Sequence, residues 1–190
     1  MPRDFIATPS QTVGPFFHFG LTTNATLGQM ASPGTPGERI QIRVRVVDGG
    51  GDPVPDAIVE LWQADALGRY PGPADVAPGT PPHTWPAWGR LPTGDDGWCE
   101  SSTIRPGPVT TKAGSAQAPH INVCLFMRGL LRHVYTRIYF EGDPLLAADP
   151  VLQLVPQERR ETLLARASTS SAWQFEIHMQ GPDETVFLDI

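Results

Sequence analysis

The chain has 190 residues with a formal net charge of −6, 40% hydrophobic and 18% charged residues, which suits one domain of about 100–200 residues with a packed core. Its 19 glycines and 21 prolines, about a fifth of the chain, are too many for a helical bundle yet fewer than low-complexity sequence carries. With no Lys/Arg run, no apolar stretch near the length of a membrane span and no secretory h-region in the N-terminal MPRDFIATPS, neither nucleic acid nor a membrane is an expected partner, and a cytoplasmic location is expected.

Ile40–Val46 alternates cleanly, with Ile40, Ile42, Val44 and Val46 on one face and Gln41, Arg43 and Arg45 on the other, the signature of a half-buried strand. The glycines and aspartates of 48–53 end it, and 57–62 is the next strand. From Ala64 to about Thr93 the sequence reads as a long loop with seven prolines; it carries Tyr70, His83, Trp85 and Trp88, so a functional role is expected of it. Asp95-Asp96-Gly97 signals a hairpin leading into a strand over Trp98–Ile104. Strands follow over His120–Phe126 and His133–Phe140, then a helix over 156–165, opened by Pro156 with Glu158 and Glu161 early. Trp173–Met179 and Thr185–Leu188 close the chain as strands. No helix separates successive strands, so a βαβ fold is excluded. The expected fold is all-β, a two-sheet β-sandwich with long loops and one short helix in the C-terminal half.

Cys99 and Cys124 lack CxxC spacing and read as buried free thiols of a reducing compartment. Trp62, Trp98 and Trp173 fall in strands and read as core, whereas Trp85 and Trp88 suit a partner-facing loop. No GxSxG, Walker, HExxH or GxGxxG motif is present. Residues i and i+2 of a strand share a face, so a His-x-His pair would aim two imidazoles at one metal. Here the pair is His120 and Asn122, and an asparagine amide is a weak ligand for a transition metal.

The ordered set Thr8–Phe16, Glu60–Asp65, Gly68-Arg69-Tyr70, Thr103–Gly107, Ala118–Asn122, Thr136–Phe140, Gln157–Leu163 and Gly181–Phe187 resembles the intradiol ring-cleavage dioxygenases nearly end to end. The resemblance implies an Fe(III) centre held by two tyrosines and two histidines in the catalytic chains. Matched by motif, Tyr70 and His120 occupy two of these positions, while Val109 and Asn122 stand at the others. Gln117 replaces an arginine three residues before the first histidine.

Two-chain members of the family pair an iron-holding β chain with a homologous α chain, and the departures at Val109 and Asn122 place this sequence with the α chains. The resemblance then implies no catalytic or metal-binding residue in this chain alone. The iron belongs to a β partner within a large (αβ)n oligomer, with protocatechuate and O₂ as substrates. A single domain over 1–190 is expected, with an N-terminal arm over about 1–35 contacting the partner. By the same matching, Thr12, Gly14 and Pro15 line the substrate pocket and Arg128 reaches into the partner's site; a guanidinium is the apt group for a substrate carboxylate.

Tyr70 and His120 have a second reading, as residues that now only pack or hydrogen-bond across a vestigial pocket. Two other functions stay open at this point: a self-sufficient single-chain intradiol dioxygenase, and a sandwich that only binds or scaffolds.

Overall fold

The computed structural model describes residues 7–71, 85, 87–111 and 114–189. Its strands are β1 (Arg39–Val47), β2 (Ile58–Gln63), β3 (Trp88–Pro92), β4 (Trp98–Ile104), β5 (Val109–Thr110), β6 (Ala116–Gln117), β7 (His120–Phe126), β8 (Val134–Phe140), β9 (Leu164–Ala167) and β10 (Ala172–His178). The all-β expectation is met. The hydrogen bonding, however, runs through one series of eight strands, β3-β2-β7-β8-β9-β10-β1-β4, with β5 and β6 forming a separate small ribbon.

β9 is what joins the two halves that the sandwich expectation kept apart. Leu164 and Ala165 pair in parallel with Tyr139 and Phe140 of β8, and Arg166 and Ala167 then pair antiparallel with β10. The inner faces close on one core. Ile40, Ile42, Val44 and Val46 of β1 and Phe175 and Ile177 of β10 share it with Val59 and Leu61 of β2, Ile121, Val123 and Leu125 of β7, and Ile138 and Phe140 of β8. The alternation read in β1 is therefore its burial pattern.

Several local expectations change. The residues around Asp95–Gly97 do form a turn, with Gly94 N–H bonded to the Trp98 carbonyl at 2.9 Å. It joins β3 to β4, which end opposite flanks of the strand order, so it is not a hairpin turn. Register decides this: β3 pairs with β2 and β4 with β1. The 156–165 segment is a 3-10 helix over Gln157–Leu163 rather than an α-helix, because β8 recruits Leu164 and Ala165 into a strand, tertiary pairing that outweighs local helix propensity. Pro15 opens an α-helix that the sequence reading did not foresee, α1 (Pro15–Leu21), with Gly14 as its N-cap. A proline at the first helical turn loses no hydrogen bond.

The tryptophans also sort differently. Trp173 is core, edge-to-face on Phe140 at 5.0 Å. Trp98 points outward, with the Arg43 guanidinium 4.6 Å from its ring centre, because the β4 register gives the core face to Cys99. Trp62 is 46% exposed. Trp85 is buried and donates its indole N–H to the Met30 carbonyl, and Trp88 sits in β3 under Arg90. Both cysteines are free, Cys99 buried and Cys124 half-buried. Thr185–Leu188 is not a regular strand; Leu188 makes an isolated bridge to Tyr135.

Candidate functional site

β7 gives Ile121, Val123 and Leu125 to the core and turns His120, Asn122, Cys124 and Phe126 to the other face. Antiparallel register sets Trp62 and Glu60 of β2 beside Asn122 and Cys124. From the other side it sets Tyr139, Arg137 and Tyr135 of β8 beside His120, Asn122 and Cys124. Glu60, Trp62, Asn122, Cys124, Tyr135 and Arg137 floor a cavity of about 1020 Å³, walled by Tyr70, Trp88, Val109 and Gln117 among others, while His120 and Tyr139 lie buried at its edge.

The loop bearing Tyr70 and the segment leading into β5 can approach only because glycines stand at their contact. A Cβ on Gly68, at φ +77°, would lie 1.8 Å from the Pro108 carbonyl oxygen, and one on Gly107 would lie 2.4 Å from that of Ala66. Asp65 rigidifies the first loop by accepting from the Leu67 and Arg69 amides at 2.9 Å and from the Arg69 guanidinium at 2.8 Å. Burial raises its carboxyl pKa, but the bonds from Arg69 and Leu67 outweigh burial and hold it below the usual value.

Tyr70, His120 and Asn122, matched separately along the sequence, meet in one hydrogen-bonded chain, and its directions can be assigned. The Ala118 carbonyl can only accept, so the 2.8 Å contact fixes the proton on His120 Nδ1. Nε2 is then the acceptor, and the Tyr70 hydroxyl, 3.1 Å away, donates to it. The Asn122 amide donates to Tyr70 Oη at 2.8 Å, and Asn122 Oδ1 accepts from Arg137 Nε at 3.0 Å. Arg137 also reaches Gln117 Oε1 at 3.1 Å.

Electrostatics keep the Tyr70 and His120 side chains neutral. Burial, aided by the Arg137 charge, lowers the His120 pKa to about 4. Burial raises the Tyr70 pKa, more than the Asn122 bond and the Arg137 charge lower it. A ferric ion takes hard phenolate oxygen and a free imidazole lone pair. Here the phenol keeps its proton, the lone pair accepts that proton, and Val109 and Asn122 add no ligand of the required kind, so this donor set does not fit the ion.

A depressed histidine pKa has a consequence for stability. The unfolded imidazole protonates near pH 6.5 and the buried one only near 4. Its contribution is therefore complete above pH 6.5 and is lost as pH falls toward 4, by up to roughly 3 kcal/mol. Urea unfolding at pH 7 and pH 4.5 checks this: His120→Gln should reduce the acid sensitivity by most of that amount. Equal acid sensitivity of the two proteins would contradict the assignment.

The other matched residues gather elsewhere. Thr12 Oγ1 accepts from the Gly129 amide at 2.8 Å, tying the N-terminal segment to the turn after β7. Arg128 in that turn pairs with Asp56 at 3.2 Å, with its side chain 61% exposed. Gly14 and Pro15 start α1, whose Phe17 ring packs on Phe126 at 5.4 Å and whose Phe16 and Phe19 are exposed. Six residue steps of β7, roughly 20 Å, separate this group from His120. Thr12 and Arg128 thus adjoin one another, but neither joins Tyr70 and His120.

Sequence reasoning did not single out Arg137, Tyr139 or Asp149. Arg137 and Tyr139 follow from i, i+2 spacing once β8 is known to flank β7, whereas Asp149 lies in a loop and has no signal. Asp149 is fully buried, and its carboxylate accepts from Tyr139 Oη, Ala118 N, Val151 N and Leu152 N at 2.7–3.1 Å.

Comparison with known proteins gives the family. The family described as Dioxygenase matches residues 12–181. The protocatechuate 3,4-dioxygenase alpha chain of Pseudomonas putida is 40% identical over 205 residues, covering 100% of both chains. The protocatechuate 3,4-dioxygenase beta chain of Burkholderia cepacia is 35% identical over 186 residues, covering 93% of this chain and 77% of that one. Among solved structures, the dioxygenase domain of a carbohydrate-binding fusion protein from Streptomyces sp. SirexAA-E shares the fold, with a TM-score of 0.62 and 21% identity over 84% of this chain and 88% of that one. From the matched span and these identities, the chain belongs to the intradiol ring-cleaving dioxygenase family.

Proposed function

We propose that the chain is the α-type, non-iron-binding subunit of a protocatechuate 3,4-dioxygenase. Fe(III) is held by a homologous β chain, and the two assemble as a large (αβ)n oligomer. The assembled enzyme would open protocatechuate between its hydroxylated carbons with O₂ to give 3-carboxy-cis,cis-muconate, as part of aromatic catabolism by the β-ketoadipate route. One observation carries the reading: the chain from Arg137 through Asn122 and Tyr70 to His120 uses the tyrosine proton and the imidazole lone pair within the protein. A self-sufficient enzyme would need both of these free.

The iron supplies the ring-cleaving chemistry in the partner; this chain's own share is positioning. Arg128 would present a planar, permanently charged guanidinium to the substrate carboxylate. Thr12, bonded to the Gly129 amide, fixes the turn from which Arg128 projects. Gly14 and Pro15 would form pocket wall at the start of α1, and the segment over about 1–35 of the single domain would lie along the partner. Such preorganisation lowers barriers by orientation and exclusion of water. The exposed Phe16, Phe19 and Leu131 support a docking face here, since aromatic side chains are enriched at interfaces. Purifying the chain alone and together with a β-type chain, and measuring iron and ring cleavage in both, tests the proposal.

A further inference from the structure

Arg137 lines the cavity half-buried, and among the described residues no carboxylate pairs with it. Its three acceptors, Asn122 Oδ1, Gln117 Oε1 and the Tyr139 hydroxyl at 3.4 Å, are all neutral. The two carboxylates that could have compensated it are committed. Asp149 stands behind the Tyr139 hydroxyl with four donors of its own, and Glu60 on the cavity wall is bonded to Arg90 at 2.6 Å. Among the described residues, Nη2 of Arg137 has no partner.

A partly desolvated cation without a counter-ion is electrostatically unfinished, and an anion on the cavity side completes it. The rest of the cavity selects the anion's body. The Trp62 and Tyr70 rings pack at 4.6 Å, Trp88 adds a third aromatic surface, and the volume of about 1020 Å³ readily admits a single ring.

We propose that this cavity binds a small aromatic carboxylate without metal coordination, the carboxylate on Arg137 and the ring against Trp62 and Tyr70. The inference concerns the chain's own cavity and stands independently of its assignment as an α-type subunit.

The probe is 4-fluorobenzoate, followed by ¹⁹F NMR line broadening with the full-length chain, alongside neutral 4-fluorobenzamide. Saturable binding of the acid, with the amide weaker by about tenfold or more, is the expected result, as loss of a charge-assisted bond requires. Arg137→Gln should weaken the acid by a similar factor and abolish its advantage over the amide. Because Arg137 also supports Asn122, the acid-to-amide comparison on the unmodified chain stands without any variant. Equal binding of acid and amide, unchanged affinity in Arg137→Gln, or no saturable binding of the acid would each overturn the proposal.

Discussion

Asp149→Ala should lower the stability of the chain by about 3–5 kcal/mol, the largest loss expected from a single polar residue here. The carboxylate is fully buried and serves three separate pieces of structure. It closes its own turn through the Val151 and Leu152 amides, holds β8 through Tyr139, and holds the entry to β7 through the Ala118 amide. Alanine would strand all four donors away from water. The Ala118 carbonyl orients His120, so the same substitution loosens the hydrogen bond that holds Tyr70 on the cavity wall. Tyr139→Phe removes one of the four donors and should cost only about 1–2 kcal/mol. Urea unfolding of both variants checks the pair; a loss below 1 kcal/mol for Asp149→Ala would show that water or a shifted loop replaces the carboxylate.

Arg128→Ala should raise KM for protocatechuate in the assembled α–β complex by roughly 30-fold or more, on the basis that truncating one partner of a buried charge pair costs about 2–5 kcal/mol. Catechol lacks the carboxylate and should be turned over by the variant as by the unmodified complex. Among the described residues Arg128 is held by Asp56 alone, and its side chain is largely exposed. An exposed pair of this kind contributes little stability, so the guanidinium can exchange that partner for a substrate anion at small cost, and the variant should fold normally. Equal effects on both substrates would remove the carboxylate-anchoring role and leave Arg128 as an assembly contact.

The strands that alternate under turn punctuation were legible: β1, β4 and β7 lie where period-2 patterning puts them. β3 was hidden in a proline-rich stretch whose composition reads as loop, and β9 inside a segment with a helical beginning. Both exist because a neighbouring strand edge accepts them, which is tertiary information. Trp62 shows the same limit, since strand membership does not say which face a register exposes. In the site, Tyr70, His120 and Asn122 were identifiable from the family motifs. That Arg137 and Gln117 complete their hydrogen-bond chain depends on cross-strand register, and Asp149 depends on where a loop folds back.

The proposed α-type role requires that an internal hydrogen-bond chain stand in this chain where the catalytic members hold iron, with the iron carried by a partner. Iron content, read together with the visible tyrosinate-to-iron absorption band, tests it most directly on the chain purified alone and co-purified with a β-type chain. Iron and colour confined to the complex, accompanied there by cleavage of protocatechuate, is the predicted result. Stoichiometric iron with that band in the isolated chain would contradict it, because Tyr70 would then be a phenolate ligand rather than the hydrogen-bond donor to His120.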